Sequence, residues 1–246
     1  LPMELKNYKT FEIDKRNGKT RTVYSVNNHL KIQLKECLPY LENRLTELDN
    51  SNVNYAFEKG KNCVQGALKH IGFKYTLSMD LANFFDSIKR EHVSDLIDKN
   101  VLDLCLIDDA PKQGLPTSPL IATIAFLNCD EKILNYSKDN NIVYTRYADD
   151  LIFSFNKRSN YIKIESLVNS IVESHDFSIN PNKTKLQSYR NGRRIITGIG
   201  VDIDKIYPTR KILKKIRAAV HQRHKFSHSG LVEWSKCKLP KQTKKN

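Results

Sequence analysis

The twelve residues Tyr144-Thr-Arg-Tyr-Ala-Asp-Asp-Leu-Ile-Phe-Ser-Phe155 constrain this chain more than any other stretch. Val143, Thr145 and Tyr147 alternate with Tyr144 and Arg146 ahead of two adjacent carboxylates, Asp149 and Asp150. Leu151, Phe153 and Phe155 alternate with Ile152 and Ser154 behind them. Such alternation of β-branched and aromatic residues around a polar pair predicts a hairpin with acid at its tip. Two aspartates held on one turn by largely buried strands repel one another unless positive charge compensates, and a divalent cation is the obvious source. Asp-Asp is also ordinary turn chemistry, because aspartate favours turns. The dipeptide alone leaves these two readings level.

The rest of the chain separates them. With 246 residues it can form one large domain or two subdomains, and 39% hydrophobic against 28% charged residues excludes wholesale disorder. Lysine and arginine number 41 against 27 acidic residues, a formal net charge of +14. That excess favours a polyanionic partner, most simply nucleic acid, through counterion release from phosphates; a membrane surface is the weaker alternative. No run of about 18 apolar residues could span a bilayer, and the start lacks the basic-then-apolar pattern of a signal peptide, so no membrane partner and a cytoplasmic location are expected. The five cysteines, at 37, 63, 105, 129 and 237, have no Cys-x-x-Cys spacing, which argues for reduced thiols and against zinc. A start at Leu1 and a polar, basic end are compatible with a fragment.

Residues 8–26 read as a hairpin turning at Asn17-Gly18, flanked by Lys15, Arg16, Lys19 and Arg21. This basic turn could grip a triphosphate or simply be solvated. From Asn28, Leu30, Leu34, Leu38, Leu41, Leu45 and Leu48 recur at helical spacing with a break at Pro39, and Tyr55–Gly66 reads as a loop or helix start. Tyr75, Leu77 and Met79 alternate with Thr76, Ser78 and Asp80, a strand that ends on an acid; such an acid suits a site ligand or a helix cap. A helix is expected near Glu91–Asn100. Gln113-Gly-Leu-Pro-Thr-Ser-Pro119 forms a rigid loop leading into a helix with Leu120, Ile124, Leu127 and Ile133 on its apolar face. Further helices are expected over Tyr161–Ser174 and from Thr209, as cap, to about Lys225. Between them a second hairpin is predicted to turn at Asn191-Gly192. Lys211, Lys214, Lys215 and Arg217 lie on the polar faces of the last helix, where they are either a solvated surface or contacts to a nucleic-acid backbone.

The order of these blocks is more specific than any one of them. A strand ending in Asp80, a Gln-Gly-x-Pro-Thr-Ser-Pro loop, a Tyr-x-Asp-Asp hairpin, an Asn-x-x-Lys-Thr turn at Asn180–Thr184 and a closing glycine hairpin resemble the palm of reverse transcriptases from about Lys15 to Val201. Within that family the chain is most similar to bacterial retron enzymes, which carry Asn-Ala-x-x-His and Val-Thr-Gly elements. Here these read Gly66-Ala-Leu-Lys-His70 and Ile196-Thr-Gly198: the leading asparagine is missing, and isoleucine replaces valine.

The resemblance implies a right-hand polymerase of mixed α/β (α+β) class, with an antiparallel palm sheet packed on helices. Fingers would occupy residues 1–75, palm 76–203 and a short helical thumb 204–246. It implies that Asp80, Asp149 and Asp150 are catalytic and hold two Mg2+ ions, for which Mn2+ can substitute. Lys19, Arg21, Gln113 and Lys183 would contact the incoming nucleotide, and Phe85 would crowd a ribose 2′-hydroxyl. His70, Lys211, Lys214, Lys215 and Arg217 are assigned to RNA; a histidine of no special role is the alternative for His70. The implied partners are an RNA template and primer, deoxynucleotides, the DNA product and, beyond these, an effector protein. The implied reaction copies a cognate structured RNA into RNA-linked single-stranded DNA, with antiphage defence as the setting. Alternatives are a group II intron-like or other defence-associated reverse transcriptase, and a catalytically idle RNA-binding scaffold. The Asp86–Gln113 segment is shorter than in many relatives, and the stretch after Val201 is short for a three-helix thumb.

Overall fold

Turn chemistry and apolar spacing set most of the elements. In the computed structural model, which describes residues 7–14, 18 and 20–239, the chain opens with β1 (Tyr8–Asp14) and β2 (Thr20–Val26), a seven-rung antiparallel hairpin from Tyr8↔Val26 to Asp14↔Thr20. Asn27 caps α1 (Asn28–Glu36), and Pro39 stands in the first turn of α2 (Leu38–Leu48), where its missing N–H costs nothing. Next come α3 (Cys63–Leu68), with an Asn62–Gln65 capping box, β3 (Tyr75–Asp80) and α4 (Phe84–Ser87). They are followed by α5 (Lys99–Cys105), α6 (Ser118–Ala125), α7 (Leu127–Asp139), β4 (Val143–Tyr147), β5 (Asp150–Phe155) and α8 (Asn160–Glu173). The chain continues through β6 (Lys185–Ser188), β7 (Arg194–Ile196), β8 (Ile199–Val201), β9 (Ile206–Pro208), α9 (Arg210–His221) and α10 (Lys225–Ser235).

Two compact units interleave along the sequence. The first comprises residues 1–52, 82–131 and 174–177; the second comprises 53–81, 132–173 and 178–246. In the first, Leu30, Leu34, Leu41 and Leu45 of α1 and α2 meet Val93, Ile97, Leu102, Leu120, Ile121 and Ile124 in one core. Each such side chain contributes about 1.5–3 kcal/mol of burial. In the second, an antiparallel sheet of order β4-β5-β3-β6 lies at the centre, and a smaller sheet of order β7-β8-β9 packs with α3 through Val64, Ala67, Ile152, Ile196, Ile199 and Val201.

Two expectations need correction. Glu91–Asn100 is not one helix: a 3-10 turn spans Arg90–His92, further turns follow, and α5 begins at Lys99. Val93 and Ile97 are buried at helical spacing, but consecutive turns achieve this, and the Asp98 N–H is taken by the Tyr40 hydroxyl at 2.9 Å. The second hairpin does not zip up across Asn191-Gly192 either. β6 pairs with β3, and β7 pairs with β8 across a two-residue turn in which Thr197 and Gly198 both have positive φ (46° and 82°), as type I′ geometry requires. The Gln187 carboxamide takes over the missing ladder, accepting from the Ile195 N–H at 2.8 Å and donating to its carbonyl at 2.9 Å.

Candidate active site

The acids converge because of strand register. Asp80, the last residue of β3, lies directly opposite Asp150, the first residue of β5, and the ladder continues through Met79↔Leu151 to Tyr75↔Phe155. In β4, Tyr147 faces Asp150, so Ala148 and Asp149 form the turn. Ala148 takes up the turn with φ 57°, a left-handed conformation that costs a non-glycine residue about 1 kcal/mol. Two backbone bonds pin the acids: the Leu81 N–H donates to the Asp149 carbonyl at 2.9 Å, and the Asn180 N–H donates to the Asp80 carbonyl at 2.8 Å. The Asn180 bond anchors the 3-10 turn Pro181–Lys183. Through it, Lys183 Nζ reaches Asp80 Oδ2 at 2.8 Å.

Electrostatics at this end of the sheet are unfavourable for the acids. Burial first, then the Asp149 and Asp80 charges, push the Asp150 carboxyl up to about 6, and burial raises Asp149 as well. Lys183 opposes both shifts only in part; its own ammonium is stabilised chiefly by its hydrogen bond to Asp80. Three carboxylates at one end of the sheet, opposed among the described residues by Lys183, offer the hard oxygen ligands that divalent cations of the magnesium class prefer.

Beneath the hairpin lies a residue that sequence reasoning passed over. Arg146 is 1% exposed; its backbone exchanges hydrogen bonds with Val53 and Tyr55, each 2.9 Å, and its guanidinium donates to the Ala148 carbonyl at 3.2 Å. The only signal was an arginine at a position the strand pattern places among buried side chains. Arg194 is buried to the same degree and donates to Thr76 Oγ1 (3.1 Å) and to the carbonyls of His70 (2.9 Å) and Asp202 (3.1 Å).

The remaining assigned residues divide between the units. His70 is fully buried, with Nδ1 2.8 Å from Ser154 Oγ and Nε2 2.7 Å from Thr145 Oγ1. Burial and the Arg194 charge lower its pKa to about 3, so it is neutral. A side chain without exposed surface cannot touch RNA, which corrects the RNA assignment of His70. Lys211, Lys214, Lys215 and Arg217 are exposed on α9, whose N-terminus Thr209 caps. In the first unit, Arg21 is exposed on β2 opposite Ile13, while Lys19 lies outside the described residues. The Gln113 carbonyl accepts from the Tyr24 N–H at 2.7 Å, which brings the rigid loop against β2. Gly114 (φ 106°) must be glycine, because a Cβ there would lie 2.2 Å from the Tyr24 carbonyl oxygen. Of the two adjacent phenylalanines, Phe84 is the core residue, 3% exposed and ringed by Phe126 and Phe177, whereas Phe85 is half-buried.

Glu91, His92 and Asp176 bring potential ligand atoms within 4.8 Å of one another. Lys89 Nζ already sits 3.3 Å from Glu91 and 3.9 Å from Asp176, and His92 Nδ1 accepts the Lys89 N–H at 2.9 Å. The ring hydrogen of neutral His92 is therefore on Nε2, which faces Asp176, and the group is an ion-paired cluster rather than a metal site.

Residues 13–226 match the family described as reverse transcriptase (RNA-dependent DNA polymerase). The chain is 30% identical over 225 residues to the retron Ec86 reverse transcriptase of Escherichia coli, covering 87% of this chain and 69% of that protein. It is 33% identical over 220 residues to the Escherichia coli retron Ec73 enzyme (78% and 68%), and 25% identical over 276 residues to the retron Mx65 enzyme of Myxococcus xanthus (98% and 64%). The chain thus spans about two thirds of the length of these relatives. Among solved structures, the apo telomerase of Candida tropicalis superposes with a TM-score of 0.60 at 12% identity, covering 85% of this chain and 50% of that one. The foamy viral protease-reverse transcriptase in complex with double-stranded DNA gives 0.57 at 17% identity, covering 95% and 44%. These last two likenesses establish the right-hand polymerase fold, with its mixed α/β antiparallel palm. Through its matched residues and its retron relatives, the chain belongs to the reverse transcriptase family of RNA-directed DNA polymerases and, within it, to the bacterial retron type.

Proposed function

We propose that this chain carries out RNA-templated DNA synthesis on a cognate structured RNA that serves as both template and primer, yielding RNA-linked single-stranded DNA. The observation that carries this reading is the register that sets Asp80 opposite Asp150 with Asp149 on the adjoining turn. Reverse transcriptases as a class use divalent metal ions, and in this reading two Mg2+ ions are held by Asp80, Asp149 and Asp150. When bound, they supply activation of a primer hydroxyl and charge neutralisation at the leaving phosphate. The protein's part is to keep Asp149 and Asp150 poised on a fixed turn. Lys183, an ammonium within reach of Asp80, offers its charge to the triphosphate once the ions neutralise that carboxylate. Arg21, with Lys19, meets the phosphates; Gln113 meets the base or template; and Phe85 excludes the 2′-hydroxyl. Lys211, Lys214, Lys215 and Arg217 bind the RNA backbone.

In this scheme residues 1–75 serve as fingers, 76–203 as palm and 204–246 as a short thumb, with an effector protein and antiphage defence as the biological setting. Among the described residues no helix is long and apolar enough to cross a membrane.

Purification of the protein from its native host, followed by sequencing of the bound RNA and DNA, tests the proposal. One structured RNA, covalently joined to DNA complementary to part of itself, is expected; recovery of unrelated RNAs without linked DNA would rule out the retron reaction. In primer extension, Phe85→Ala is expected to raise ribonucleotide incorporation by roughly tenfold or more, and unchanged sugar selectivity would remove its gating role.

A further inference from the structure

His70 belongs to the Ala-x-x-His element, yet burial denies it an RNA contact, so the element needs another explanation. Thr76 Oγ1 lies 2.8 Å from Ser154 Oγ, on register partners of β3 and β5. Ser154 Oγ lies 2.8 Å from His70 Nδ1, and His70 Nε2 lies 2.7 Å from Thr145 Oγ1 on β4. Arg194 of β7 donates to Thr76 at the other end of this chain. All five residues are 3% exposed or less.

An arginine can only donate, so Thr76 accepts from Arg194. In the ordering that keeps both hydroxyl hydrogens inside the chain, Thr76 uses its hydrogen toward Ser154, and Ser154 in turn donates to His70 Nδ1. The ring hydrogen of neutral His70 is then on Nε2 and goes to Thr145. No other ordering uses both the Thr76 and Ser154 hydrogens within the chain. Because side chains alternate along a strand, Thr76 shares a sheet face with Asp80, Ser154 shares it with Asp150, and Thr145 shares it with Tyr147. Each hydroxyl of the β3–β5 pair sits four residues, about 13 Å, from its acid on the same strand.

The second retron element joins the same structure. Thr197 of Ile196-Thr-Gly198 donates from Oγ1 to the Cys63 carbonyl at the start of α3, and Ile196 packs with Val64 and Ala67.

We propose that His70 and Arg194 are positioning residues of the polymerase: the one-directional chain Arg194–Thr76–Ser154–His70–Thr145 locks β3, β4 and β5 in the register that brings Asp80 to Asp150. The two elements that mark the retron type thus build the floor of the catalytic hairpin. This inference rests on the polymerase reading above.

The test uses the full chain, with Thr76→Val, Ser154→Ala, Arg194→Lys and Arg194→Met, assayed well below the melting temperature of each. Nitrogen-15 NMR of the wild type should show a neutral His70 with its hydrogen on Nε2. Arg194→Lys, still a donor, should keep that tautomer, and so should Thr76→Val, because Ser154 retains the hydrogen it gives to Nδ1; Ser154→Ala, which removes that donor, should lose it. In RNA-templated extension, Thr76→Val and Arg194→Met should raise the Mg2+ concentration for half-maximal rate and lower kcat, by roughly 10- to 100-fold together. The KM for deoxynucleotides and the affinity for RNA should hold within about twofold of wild type. Arg194→Lys should recover most of the rate. A His70 hydrogen on Nδ1 overturns the proposal, as does a Thr76→Val enzyme with wild-type metal dependence. If Arg194→Met does not fold, Thr76→Val decides alone, since it removes one hydroxyl and keeps the β-branched shape. A wild-type protein inactive on every RNA template would instead sink the polymerase reading and leave the tautomer result standing.

Discussion

The chain contains two Asp-Asp turns, and they have opposite physical characters. Asp108-Asp109, in the first unit, joins Ile107 to Ala110 through a reciprocal pair of backbone hydrogen bonds, each 3.1 Å, and both aspartates are left-handed (φ 49° and 54°). Its carboxylates are exposed, and Asp109 is answered by Arg90 at 2.7 Å. Asp149-Asp150, in the second unit, joins β4 to β5 with the left-handed strain placed on Ala148 instead, leaves both acids half-buried, and adds Asp80 from the facing strand. The first pair is turn chemistry; the second concentrates negative charge at a strand end. What separates them is the register of a third strand, which no property of the dipeptide reveals.

The largest way to break this comparison is to neutralise each pair. Asp149→Asn should lower metal-dependent incorporation by on the order of 10³-fold or more, with RNA affinity little changed, whereas Asp109→Asn should leave the rate within about twofold, since an exposed ion pair contributes little. Primer extension on an RNA template measures both, and retained synthesis by Asp149→Asn would falsify the metal assignment.

Next in size are the arginines. Arg146→Met keeps the backbone bonds to Val53 and Tyr55 but takes the guanidinium donor from the Ala148 carbonyl, at a cost of about 2–4 kcal/mol, and should lower Tm by roughly 10 °C. Arg90→Met, which loses only exposed pairs, should shift Tm by no more than about 2 °C. Equal shifts in calorimetry would mean that the buried arginine is not supporting the turn.

The pH dependence is smaller and has a definite sign. A carboxyl whose folded pKa is raised from 3.8 to about 6 binds its proton more tightly in the folded than in the unfolded chain. Metal-free protein should therefore gain stability as pH falls from about 6 to about 4 and pay the full penalty above 6. Asp150→Asn should stabilise the metal-free protein at pH 7.5 by about 1–2 kcal/mol and erase its share of that slope in urea denaturation. Asp109→Asn should leave the slope as it is. The smallest test is Ala148→Gly, which relieves a left-handed alanine and should stabilise by up to about 1 kcal/mol; a loss of stability would mean that the turn is not strained there.

Much of the molecule was legible because local rules acted alone. Asn17-Gly18, Pro39, the alternation into Asp80 and the Thr209 cap each name an element, and the structure has β1–β2, the α1–α2 break, β3 and α9 where they point. The acids were legible as a set through their order along the chain. Local rules failed where an interaction spans the fold: Gln187 substitutes for a hairpin ladder, Tyr40 ends a would-be helix 58 residues away, and His70 reaches Thr145 across 75 residues. A histidine in a loop-like stretch looks available to a ligand until strands from elsewhere close over it.

The sequence by itself determined the hairpin, the three candidate acids and the basic excess, because turn residues, alternation and charge act through neighbours or through simple sums; the family resemblance lay in the order of the motifs along the chain. Tertiary structure alone decided that Asp80 faces Asp150, that Arg146 and Arg194 lie buried, and that His70 is enclosed between Ser154 and Thr145. Register and burial are set by which distant strands pair, and the cost of desolvating a charge exists only once that pairing has excluded water.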